Sequence, residues 1–144
     1  MSDSKPLVYS CSGCSNVAQL ANELAVTLDR QGLAQMSCIA GVGGNVRSLV
    51  RTAQSGRPIL AIDGCPLNCV RACLANHGVE PDQHVQLNDL GLKKRDGESC
   101  TLEDSFMALA HVQALIEVHF SDGTPGSADP APAGSSESPA PGRP

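Results

Sequence analysis

The sequence predicts an α/β fold, a small three-layer sandwich built on a mainly parallel four-stranded sheet. Two observations carry this expectation. Short apolar runs alternate with amphipathic helical stretches in the order β-α-β-α-β-α-β-α, the pattern of a parallel sheet with right-handed crossovers. One run, PILAID at 58–63, is apolar almost throughout, as a strand covered on both faces must be.

Taken in order, Pro6–Ser10 with LVY at its centre reads as the first strand. Val17, Leu20, Ala21, Leu24 and Leu28 then recur at helical spacing, with Ser15 as N-cap and Gly32 as stop. AQMSCIAGV at 34–42 reads as the second strand, with Cys38 inside it. Asn45 caps a second helix whose apolar face is Val46, Leu49, Val50 and Ala53, ending at Gly56. After the third strand, IDGCPLNCVRACLANHG at 62–78 predicts a helix in which Pro66 takes the first position, Cys65 is the N-cap and Gly78 is the stop. HVQLND at 84–89 is a weaker fourth strand. Thr101 with Asp104 forms an approximate capping box for a long helix, Leu102–Phe120. The simplest strand order is 2-1-3-4.

Residues 1–120 therefore form one cysteine-rich domain, and 121–144 a tail. The tail holds six of the ten prolines and no Val, Ile, Leu, Met or aromatic residue. It has too little apolar surface to offset the entropy of ordering, so disorder is expected. The core must be aliphatic, since the chain has no Trp, one Tyr and two Phe.

Net charge is −5, and the only dense basic run is Lys93-Lys94-Arg95. A nucleic-acid partner would want a basic face, so none is expected. No apolar run approaches the roughly 20 residues of a membrane span. The N-terminus MSDSKPLVYS lacks a secretory core, which points to the cytoplasm. Seven cysteines in a reducing compartment favour metal binding or redox chemistry over structural disulfides.

Their placement sharpens this. Cys11 and Cys14 follow the first strand, while Cys65 and Cys69 follow the third. In an open α/β sheet, ligands bind beyond the carboxyl ends of the strands, where strand order reverses. In a 2-1-3-4 sheet that point lies between strands one and three, so the four thiols converge there. On the helical wheel Cys65, Cys69 and Cys73 share a face about 130° from a stripe of Leu67, Val70 and Leu74, and Arg71, Asn68 and Ala75 are left for solvent. Cys65 and Cys73 are about 12 Å apart along such a helix, against a zinc–thiolate bond of about 2.3 Å. One ion takes Cys65 with Cys69, or Cys69 with Cys73, but not all three. The economical tetrahedral set is Cys11, Cys14, Cys65 and Cys69, with Cys38 and Cys73 as alternates. Thiolates suit zinc and equally an iron–sulfur cluster. Cys14 and Cys65 both lie where a helix dipole favours thiolate, which serves a metal site or a nucleophile alike.

Other readings are weaker. CPLNCVR, from Cys65 to Arg71, has the Cys-x5-Arg form of a phosphatase loop, yet Pro66 removes a donor, no glycine relaxes it, and Arg71 falls on the solvent side. GVGGNV at 41–46 is not a dinucleotide fingerprint and reads as a tight turn. CSGC at 11–14 has a thioredoxin-like spacing, but the later cysteines imply a larger site. His77 and His84 flank a turn and read as surface histidines. His111 and His119 on the last helix have no matching partners, and Cys100 beside a helix cap reads as filler.

CSGCS at 11–15, MSCIAGVGG at 36–44, AIDGCPLNCVRACL at 61–74 and NDLGLKK at 88–94 resemble the DGC-domain family, described as zinc-binding and named for the string here formed by Asp63, Gly64 and Cys65. The resemblance implies a small bacterial protein with a cysteine metal site drawn from Cys11, Cys14, Cys38, Cys65, Cys69 and Cys73. It implies no known reaction. The expectations are a zinc-binding protein of accessory or regulatory role acting with an unidentified protein partner; an iron–sulfur electron-transfer or sensing protein; or a thiol-dependent redox enzyme.

Overall fold

Strands β1 (Leu7–Ser10) and β3 (Ile59–Asp63) are buried at every position, as central parallel strands between two helix layers must be. They are flanked by β2 (Gln35–Met36) and β4 (Gln83–Gln86) in the order β2-β1-β3-β4, every pair parallel. The strand order is the one expected from sequence. This structure, a computed structural model, describes residues 5–120. The tail expected to be disordered, 121–144, lies outside the described residues.

Alternate strand residues point to opposite faces, and each face has its own helices. Helices α1 (Asn16–Arg30) and α5 (Leu102–His119) pack Val17, Leu20, Leu24, Leu28, Ala108, Val112 and Ile116 over Val8, Leu60 and Ile62. Helices α2 (Ile39–Gly43), α3 (Arg47–Ala53) and α4 (Cys69–Ala75) bring Val42, Ala53, Val70 and Leu74 to Leu7, Tyr9, Ile59 and Ala61. The expected caps form on the first pair. Ser15 Oγ accepts from Ala18 N at 3.1 Å. Thr101 Oγ1 accepts from Asp104 N at 3.0 Å, and Asp104 returns the bond to Thr101 N at 3.3 Å. Among the described residues no helix is long and apolar enough to cross a membrane.

The structure corrects four local expectations. The second strand is two residues long, not nine, and the chain turns into α2 at Ile39. An edge strand gains only one ladder, and Gly41, Gly43 and Gly44 weaken it further; a helix buries Val42 instead. Cys38 is therefore the residue before α2, not part of a strand. Asn45 adopts a left-handed conformation, φ +64°, joining α2 to α3. The N-cap passes to Val46, which makes no capping bond and is exposed instead of lying on the apolar face. The third helix starts at Cys69, not Pro66. Cys65 to Asn68 forms a turn closed by Asn68 N to Cys65 O at 3.1 Å, with Asn68 at φ +53°, a conformation Asn tolerates better than most residues. Leu67, assigned to the leucine stripe, falls outside the helix and is 69% exposed. The fourth strand ends at Gln86, and Leu87–Leu90 coil into a 3-10 turn.

Candidate thiol and metal centre

The carboxyl ends of β1 and β3 are drawn together by backbone. Cys11 N extends the ladder to Ile62 O at 3.1 Å, and Gly64 N donates back to Cys11 Sγ at 3.3 Å. Gly64 has no room for a side chain: a Cβ there would stand 2.7 Å from the carbonyl carbon and oxygen of Val17. The start of α1, the end of β1 and the end of β3 thus meet at one glycine, beside Cys11.

Asp63 explains the start of α4. Its side chain is 1% exposed. Oδ1 accepts from Val70 N at 2.8 Å, and Oδ2 from Arg71 N at 3.3 Å. These are amides in the first turn of α4, which have no partner inside the helix. His84 Nε2, reaching over from β4, donates to Oδ2 at 2.9 Å. One buried carboxylate replaces the missing cap and sets the helix that carries Cys69 and Cys73. The Asp-Gly-Cys string thus combines a helix cap, a close backbone approach and a thiol.

The sequence expectation overlooked this carboxylate–imidazole pair. The signal was present: an acid ending an apolar central strand must find donors, because a buried unpaired charge is prohibitive. His84 is paired to the core, not a lone surface histidine. His77 is likewise engaged, its Nε2 donating to Val42 O at 2.9 Å.

Of the expected ligands, Cys11 has Cys69 and Cys65 within electrostatic reach, and Cys73 has Cys69. Burial pushes the Cys11 thiol up to about 11; the Gly64 N–H opposes this, and the nearby Asp63, Cys69 and Cys65 add to it. Cys73 is raised by burial and then by Cys69 and Asp63. Its sulfur packs on α2, where a Cβ on Gly43 would come within 3.1 Å. Cys69 is exposed, whereas Cys65 and Cys73 are half-buried. Cys65, four residues before α4, does not hold the N-terminal place expected of it; Cys69 does.

Cys14 and Cys38 are the other exposed candidates. Cys14 is exposed, with its sulfur 3.9 Å from Asp96 Oδ1. Cys38 is exposed before α2 and makes no capping bond. Cys100 packs beside α1, its sulfur 3.6 Å from Asn16 O. The basic run is pinned there as well: Asn16 N donates to Arg95 O at 2.9 Å, Asn16 Nδ2 to Lys93 O at 3.0 Å, and Arg95 N to Asn16 Oδ1 at 2.6 Å. Arg71 faces out toward Glu80 at 3.7 Å, both exposed, as expected, and does not line a phosphate loop. Among the described residues, no three His, Cys, Asp or Glu side chains stand in a metal-coordinating cluster. Thiols are the donor chemistry a thiophilic metal takes, and here Cys11 feels both Cys69 and Cys65 while Cys73 feels Cys69.

The DGC domain matches residues 7–112. The chain is 61% identical over 114 residues to the anaerobic and virulence modulator AnvM of Pseudomonas aeruginosa, a match covering 79% of this chain and 87% of that protein. No solved structure matches. With the family pattern spanning all four strands and reaching into α5, the chain belongs to the DGC domain family.

Proposed function

We propose that this protein is a cytoplasmic regulatory protein that binds zinc through cysteine thiolates at the carboxyl ends of β1 and β3. The observation that supports this best is that Cys11, beside the paired ends of β1 and β3, has Cys69 and Cys65 within electrostatic reach, on backbone held by Gly64 and Asp63. The fourth donor comes from Cys14, Cys73 or Cys38. Bound there, zinc would supply a rigid link between the two strand ends. The name of the relative, a modulator, favours a regulatory role over a catalytic one. An iron–sulfur cluster is the second reading, favoured by a donor set of thiols alone and by the relative's anaerobic designation.

Purification with and without air, followed by metal analysis and a visible spectrum, tests this. Zinc gives a colourless protein, an iron–sulfur cluster a brown one, and a metal-free protein in both preparations overturns the proposal. Cys69→Ser replaces a soft donor by a poor one and is expected to lower metal per chain, with some loss of stability because metal binding feeds into folding. Cys100→Ser is expected to leave both unchanged.

A further inference from the structure

Charge is distributed unevenly along this chain. Residues 30–62 contain Arg30, Arg47, Arg51 and Arg57 and no Asp or Glu, in a protein of net charge −5. Two of these arginines stand one turn apart on α3. Arg47 is the first residue of the helix, the end at which the helix dipole disfavours a cation. Arg51, in the last turn, suits the dipole, but it stands at i+4 from Arg47, where like charges destabilise a helix. Both are exposed, and neither has an ion pair or a side-chain hydrogen bond among the described residues. Helix stability does not account for the pair.

The two arginines share a cleft. Arg47, Val50, Arg51 and Gln54 lie at i, i+3, i+4 and i+7, within about 100° of one side of the helix. With Asn45 and His77 they line a cleft of about 230 Å³. Its wall is fixed: His77 Nε2 donates to Val42 O at 2.9 Å, and Gln54 Nε2 donates to His77 O at 3.1 Å. Among the described residues no carboxylate lines it. A second cleft, of about 310 Å³, shares Gln54 and His77 and contains Glu80 and Asp82. Both acids are engaged, Glu80 with Arg71 at 3.7 Å, and Asp82 Oδ2 accepting from Ile59 N at 2.8 Å. We propose that the cleft between α3 and the turn after α4 binds the phosphate group of a small ligand, inorganic phosphate or a small phosphomonoester, through Arg47 and Arg51. Cβ atoms one turn apart are separated by about 5–6 Å, a span that one phosphate bridges with two of its oxygens. The guanidinium fork matches those oxygens, and a phosphate charge of about −1.5 to −2 balances the two cations. The cleft is smaller than the roughly 300–1,000 Å³ of pockets for drug-sized ligands, so the ligand is small. No cysteine lines it, so this inference does not rest on the metal site.

The test is isothermal titration calorimetry of the full chain with potassium phosphate, glycerol 3-phosphate and succinate, at an ionic strength held constant with potassium chloride. Binding of phosphate is expected, and the tighter of the two phosphate compounds identifies the source. Succinate, whose two charges sit on separate carboxylates, is expected to bind more weakly. Arg47→Gln and Arg51→Gln are each expected to weaken binding about tenfold or more, with the melting temperature in phosphate-free buffer unchanged. Arg47→Lys keeps the charge but loses the fork, so an intermediate loss is expected. Lys94→Gln removes an exposed cation outside the cleft and is expected to leave affinity unchanged. Titration repeated after chelator treatment separates the cleft from a bound metal, and the same affinity is expected. No binding of either phosphate compound, equal binding of succinate, equal losses in Lys94→Gln and the arginine variants, or loss of binding along with the metal overturns the proposal.

Discussion

The two faces of the sheet are built by different rules. On one, α1 and α5 run for 15 and 18 residues, and each begins with a side-chain cap. On the other, α2, α3 and α4 have five, seven and seven residues, and none is capped by its own N-cap side chain. Helices shorter than about 12–15 residues are marginal alone, so the second face exists only through tertiary contacts. It is also the face that carries Cys69 and Cys73 and is entered by Cys38. The long helices supply stability, and Cys69 and Cys73 sit on a segment that costs less to move. Asp63 is what ties this softer face to the sheet.

Removing that tie is the strongest way to break the contrast. Asp63→Ala strands two helix amides and the His84 N–H in a buried site, and the expected loss is about 3–5 kcal/mol. Thr101→Ala removes the corresponding cap from α5 and should cost about 1 kcal/mol. Urea denaturation of both variants measures the difference; equal losses would show that the short helix does not depend on Asp63. Gly64→Ala comes next. Its new methyl meets the Val17 backbone, which cannot swing aside, and the expected cost is about 1–3 kcal/mol, read as a lower melting temperature.

Hydrogen exchange sharpens the comparison without mutation. Amides of α2 and α3 are expected to exchange through local openings, those of α1 only by global unfolding. Uniform protection across both faces would remove the distinction.

A further contrast is a pH dependence of the metal-free protein. The folded Cys11 thiol titrates near 11 against an ordinary 9.0, chiefly because it is buried. Below pH 9 both folded and unfolded chains hold this proton, and the stability from burying the neutral thiol is fully present. As pH rises past 9 the unfolded chain loses the proton first, so stability falls until the folded thiol ionises near 11. Urea midpoints taken from about pH 8 to about pH 11 should fall more steeply for the parent than for Cys11→Ser. Parallel curves would mean that Cys11 is not buried in solution.

Much of this protein was legible in the chain alone. PILAID, buried at five of its residues from Ile59 to Asp63, marks the centre of the sheet because only a strand covered on both sides can be so apolar. The alternation of elements determines 2-1-3-4, since crossovers have one hand and short connections favour neighbours. The spacing of Ser15 and of Thr101 with Asp104 determines where the long helices begin, because a cap is a contact within four residues. The meeting of the loops that carry Cys11 and Cys65 follows from topology, which pairs the ends of β1 and β3. What only the tertiary structure decided lies on the short-helix face. Pro66 and Cys65 satisfy the local rules for a helix start, yet Asp63 claims the amides of Val70 and Arg71 and moves that start to Cys69. The apolar run at 34–42 satisfies the rules for a strand, yet at a sheet edge it buries more as a helix. Local sequence specifies an element when its stabilising contacts are local; where a segment is too short to stabilise itself, the partner across the sheet chooses its boundaries.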